Sequence, residues 1–77
     1  MYKVVSTINR HKQQPETIEL ACVNPTEACR FMRKMVSQHR TTRKELGPSA
    51  GTQSIKVYYC GRTISKGELE KRARVAA

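Results

Sequence analysis

The stretch that begins at Asn24 most constrains the fold, because it combines a clear helix start with a long amphipathic pattern. Asn24 is a favoured N-cap residue, and Pro25 stands at the first helical position, where its missing N–H costs no hydrogen bond. Glu27 has the spacing of a capping box, and its charge suits the positive helix N-terminus. No glycine or proline follows until Gly47. The sequence therefore predicts a main helix over about 25–40.

This helix is predicted to have one apolar and one basic face. At about 100° per residue, the apolar side chains share an arc of roughly 160°, as in a core-facing helix. Arg30, Arg33 and Lys34 lie opposite, with Arg40 near the edge of the basic arc. His39 falls on the apolar side, where the C-terminal helix dipole would favour it; a ligand or acid–base role is the alternative. The apolar arc contains Ala28, Cys29, Phe31, Met32, Met35 and Val36.

Three segments rich in β-branched residues predict strands: 2–8, 16–23 and 54–60. The first two are separated by a polar loop and should form an antiparallel hairpin. In the third strand, alternation directs Lys56 and Tyr58 outward. Its core-facing residues are Ile55, Val57 and Tyr59.

The segment 41–54 is predicted to be a mobile basic loop that carries Arg43 and Lys44. Thr42 and Glu45 have capping-box spacing, so a short helical turn ending at Gly47 is an alternative.

Ser65 and Glu68 predict the start of a short C-terminal helix over 66–76. Its few apolar residues indicate a marginal helix. The whole pattern is β-β-α-β-(α), a small α+β single domain spanning residues 1–77. We expect a three-stranded antiparallel sheet of order 2-1-3 packed on the main helix.

The charge balance favours a polyanionic partner. The chain has 15 Lys and Arg against six Glu and no Asp, a net charge of +9. Between Arg30 and Lys66, nine cations stand against the single acid Glu45. No apolar segment is long enough to span a membrane, and no signal peptide is recognisable. Three irregularly spaced cysteines indicate free thiols, and hence a cytoplasmic location.

Catalytic and metal-binding patterns are absent from the sequence. No Cys-x-x-Cys or His-x-x-x-His pair occurs, and Cys60 with a histidine is the only conceivable nucleophile–base set. We therefore expect a non-enzymatic protein with no metal and no cofactor.

Two functional hypotheses follow. The first is a small domain that binds nucleic acid, DNA or RNA, through phosphate contacts, with Tyr58 stacking on a base. The second is a protein-binding regulator or inhibitor, which resembles the accessory proteins that phages and mobile elements direct at host nucleic-acid-handling machinery. Such a protein would bind a host protein through the same cations or through a strand edge, and a homodimer is possible. The predicted binding residues are Arg30, Arg33, Lys34, Arg40, Arg43, Lys44, Lys56, Tyr58 and Arg62.

Overall fold

The computed structural model describes residues 1–76, which form a four-stranded antiparallel sheet with two helices on one face. The α+β class and the single domain are confirmed. One strand is added to the predicted pattern, and the predicted C-terminal helix is present and well packed. The elements are β1 (Tyr2–Asn9), β2 (Glu16–Cys22), α1 (Pro25–Leu46), a 3₁₀ turn (Gly47–Ala50), β3 (Thr52–Tyr59), β4 (Arg62–Ile64) and α2 (Lys66–Ala76).

The strand order is β2-β1-β3-β4, so β1 lies in the middle of the sheet. Val4 of β1 pairs with Leu20 of β2 on one side and with Val57 of β3 on the other. The predicted order 2-1-3 is confirmed. The additional β4 forms because Cys60 and Gly61 both adopt positive φ, which turns the chain back along β3.

The core lies between the helix-facing side of the sheet and the two helices. Val4, Val57 and Leu69 are its largest fully buried side chains, one each from β1, β3 and α2. Burying side chains of this size stabilises a fold by about 1.5–3 kcal/mol each. The remaining members of the core cluster are Tyr2, Cys22, Ala28, Cys29 and Met32.

Helix α1 begins where predicted but continues six residues beyond the predicted end. The Asn24 side chain accepts a hydrogen bond from the Thr26 N–H at 2.7 Å. The prediction of a mobile loop after residue 40 is wrong, as is the capping role for Thr42 and Glu45. Thr42 lies inside the helix and its hydroxyl donates to the Gln38 carbonyl. The helix ends only at Gly47, whose φ of 60° favours glycine.

Helix α2 is held more firmly than its composition indicated. The Ser65 hydroxyl accepts from the Glu68 N–H at 3.0 Å, as the predicted cap requires. Leu69 is fully buried, which anchors the helix in the core. Arg72 donates to the Tyr2 hydroxyl at 3.4 Å, and its guanidinium carbon lies 4.5 Å from the centroid of the Tyr59 ring. The prediction of a marginal helix underestimated these contacts.

Candidate nucleic-acid interface

Six of the predicted binding residues lie on α1, and all six are exposed. At about 100° per residue, five of them fall within an arc of about 120°, while Arg43 lies about 60° outside it. At 1.5 Å per residue, the positions from Arg30 to Lys44 extend over about 21 Å. Because α1 is longer than predicted, Arg43 and Lys44 are fixed on the same rigid element as the others. The six residues are Arg30, Arg33, Lys34, Arg40, Arg43 and Lys44.

A groove between α1 and α2 adds Arg74 to these cations. The groove has a volume of about 290 Å³, and Arg30, Arg33 and Arg74 line it together with Glu70. Arg74 comes from the C-terminal helix, whose packing against α1 has no signature in the sequence. Sequence reasoning therefore missed it.

Two further concave regions continue this groove along the flank of α1. Arg33 also lines a hollow of about 260 Å³ that includes Lys66 and Arg40. Arg40 in turn lines a hollow of about 350 Å³ that includes Arg43. The shared arginines make the three regions neighbours, so cations follow one another along a continuous path.

We call the cations of this side the basic helix surface. In the part of the chain that the structure describes, none of them forms an ion pair, since all three ion pairs lie elsewhere. Their charge therefore faces solvent without a carboxylate partner. The basic helix surface consists of Arg30, Arg33, Lys34, Arg40, Arg43, Lys44, Lys66 and Arg74.

Arg72 is a cation of α2 that serves the fold rather than this surface. Its Nε donates to Glu68 at 3.1 Å, in addition to its contacts with Tyr2 and Tyr59. The hydrogen bonds to Tyr2 and then to Glu68 raise the pKa of Arg72 above its ordinary value. Its positive charge is therefore engaged within the chain.

Lys56 and Tyr58 lie on the other face of the sheet, which no helix covers. Tyr58 pairs with Lys3 of β1 and Thr63 of β4, and Lys56 pairs with Val5. A shallow hollow of about 320 Å³ includes Tyr58 and Lys3. The helices occupy the opposite face, so the structure divides eight of the nine predicted residues between two separate surfaces.

Arg62 belongs to neither of these groups. It pairs directly with Tyr59, and paired residues project to the same side of a sheet, so Arg62 projects away from Tyr58. The proximity of Arg62 to Tyr58 along the chain therefore does not bring their side chains to one face.

His39 is buried in the middle of α1 rather than placed at its end. The prediction that the C-terminal helix dipole favours it is wrong, because the helix continues to Leu46. Only 7% of His39 is exposed, and neither ring nitrogen has a hydrogen-bond partner among the described residues. Close by, Gln53 Nε2 donates to Ser6 Oγ and to the Met35 carbonyl, each at 3.1 Å.

The three cysteines are free thiols, with Cys22 and Cys29 buried and Cys60 exposed. Burial, followed by the charge of Glu27, raises the pKa of the Cys22 thiol. Within residues 1–76, no three His, Cys or Glu side chains come together in a group suited to a metal ion.

Neither helix has both the length and the apolar character needed to cross a membrane, in so far as residues 1–76 show. Comparison with known proteins adds no relative: no protein-family model, curated protein or solved structure matches this chain.

Proposed function

We propose that this protein is a non-enzymatic nucleic-acid-binding domain that contacts phosphates through the basic helix surface. The observation that carries the proposal is the group of eight exposed cations on α1 and α2, of which six line the three neighbouring hollows and none is ion-paired among the described residues. Five of the eight are arginines, whose planar fork of donors suits phosphate oxygens.

The dimensions of the surface fit a nucleic-acid backbone. The cations of α1 extend over about 21 Å, which corresponds to about six base pairs at 3.4 Å of rise. Such contacts orient a protein on a duplex but do not read its bases. We therefore propose binding that depends little on sequence. The three free thiols are consistent with a cytoplasmic setting, which forms part of the proposal.

Salt dependence is the quantitative test. A protein that neutralises six to eight phosphates should show a slope of log K against log salt of about −5 to −7 on duplex DNA. We expect micromolar binding at low salt, measured by fluorescence anisotropy on random-sequence duplex and single-stranded DNA and RNA. No binding at low salt would remove the proposal and leave the protein-binding regulator.

Charge-removal variants locate the surface. The double variant Arg33→Gln/Arg40→Gln removes two central cations and should make the slope of log K against log salt shallower by about two. The change should be the same for every nucleic-acid sequence tested. The matched control Lys12→Gln/Lys71→Gln removes the same charge outside the basic helix surface. Equal losses in the two variants would mean that net charge, rather than this surface, drives binding.

A further variant separates the two faces. If the uncovered sheet face binds nucleic acid, Tyr58→Ala should weaken single-strand binding, since stacking contributes about 1–3 kcal/mol per base. If the basic helix surface dominates, as we propose, Tyr58→Ala should leave both single-strand and duplex binding unchanged.

A further inference from the structure

Strand β2 presents an unpaired edge along its whole length. It pairs with β1 from Tyr2–Cys22 to Ile8–Glu16, and it is the first strand of the sheet, so its outer side has no neighbour among residues 1–76. Proteins usually protect such an edge with charged side chains, especially lysine, with proline, with a bulge or with very short length. β2 has seven residues and contains neither lysine nor proline. The opposite edge, β4, has only three residues.

The charges on this edge are already compensated within the chain. Glu16 forms an ion pair with Arg10 at 2.7 Å, and Glu19 forms one with Lys3 at 3.3 Å. From residue 13 to residue 29 the chain contains three Glu and no Lys or Arg. This segment is therefore where a second molecule of charge +9 can approach with the least repulsion.

Apolar side chains border the same edge. Ile18 pairs with Ser6 and Leu20 with Val4, so both lie on the helix side of the sheet, yet Ile18 is 41% exposed. Helix α2 packs against the side of α1 that carries Cys29. The opposite side of α1, which carries the half-buried Phe31, therefore faces β2. The apolar side chains at this edge are not completely covered by their own chain.

The sequence of β2 is complementary to itself in the antiparallel register centred on Ile18. With Ile18 on a two-fold axis, Ile18 faces its own copy, Thr17 faces Glu19, and Glu16 faces Leu20. No Glu then faces Glu. Moving the axis by one residue to Glu19 would place two carboxylates directly opposite each other, which is destabilising.

We propose that β2 binds β2 of a second copy of this chain in the register centred on Ile18. The two four-stranded sheets then form one antiparallel sheet of eight strands, with all helices on one face. This inference does not depend on nucleic-acid binding, since it uses the edge that the basic helix surface leaves free. A seven-residue strand pair falls below the roughly 1,200 Å² of a standard interface, so the dimer is weak.

Sedimentation equilibrium over about 10 µM to 1 mM tests the association, a range suited to a weak dimer. We expect the average mass to rise from 8.8 kDa toward twice that value. Higher salt should favour the dimer because it screens the positive chains from each other, whereas it weakens nucleic-acid binding. A chain that remains monomeric at about 1 mM overturns the proposal and leaves the edge for a strand of a different protein.

Two matched pairs of variants test the register. Ile18→Lys places like charges on the axis and should weaken association at least about tenfold, whereas Val75→Lys, at a position 81% exposed on α2, should not. In a Cys60→Ser background, Ile18→Cys should form a disulfide-linked dimer under mild oxidation. Thr17→Cys should cross-link far more slowly, because its own copy lies two residues away along the strand. Equal cross-linking at the two positions overturns the register, and this measurement does not require Ile18→Lys to fold.

Discussion

Replacing His39 with leucine should raise the free energy of unfolding, although the change removes a buried side chain. Only 7% of His39 is exposed, and neither Nδ1 nor Nε2 has a partner among residues 1–76. A buried polar group without a hydrogen bond costs about 1–3 kcal/mol. Leucine occupies a similar volume, carries no polar atom and has a higher helix propensity by a few tenths of a kcal/mol.

Allowing for imperfect packing of the new side chain, we expect the free energy of unfolding to rise by about 1–2 kcal/mol. For a domain of this size, each kcal/mol corresponds to a rise in Tm of about 4–8 °C. Urea unfolding and a thermal scan followed by circular dichroism measure both quantities. His11→Leu, at an exposed loop position, is the control and should change stability by less than about 0.5 kcal/mol. If His39→Leu instead lowers the free energy of unfolding by more than about 1 kcal/mol, the imidazole forms a stabilising hydrogen bond in the native protein and the reasoning is refuted.

Two other predictions concern the second helix and the thiols. Leu69→Ala should destabilise the protein by about 2–5 kcal/mol in urea unfolding, because Leu69 is fully buried. Val75→Ala, at an exposed position, should change the free energy of unfolding by less than about 0.5 kcal/mol. Equal effects of the two variants would contradict the placement of α2. In the native state, Cys60 should react with a chromogenic disulfide well before Cys22, because Cys60 is exposed while burial and Glu27 raise the pKa of the Cys22 thiol. Because burial raises its pKa, Cys22 should react faster only when the pH is raised above the range of an ordinary thiol, and simultaneous reaction of the two thiols would indicate that the core opens.

The start of α1 was predictable because its signals are local. Asn24 and Pro25 act within one helical turn, and the N-cap hydrogen bond forms as their types imply. The end of the helix was not predictable from the same kind of signal. Thr41 and Thr42 are β-branched residues that weaken a helix, but here each donates its hydroxyl to the carbonyl four residues earlier and stays helical.

The features that were missed depend on contacts between distant segments. β4 has three residues, too few for a periodic pattern, and it exists only because β3 is there to pair with it. Helix α2 has few apolar residues, yet one of them, Leu69, reaches the centre of the core. Because Leu69 fixes α2 against the core, α2 also brings Lys66 and Arg74 to the basic helix surface.

The position of β1 in the middle of the sheet has a consequence for the order in which the molecule folds. β1 is the first element in the sequence, but its partner β3 is made some fifty residues later, and Arg72 contacts Tyr2 across seventy positions. Contacts of such long range slow folding, since a large loop must close before they form. A nascent chain that has emerged only as far as α1 can form the β1–β2 hairpin but cannot bury Val4 completely, because Val57 and Leu69 are still missing from the core. Folding during synthesis should therefore be concentrated after β3 and α2 have left the ribosome, and truncated chains should expose the core side of the hairpin.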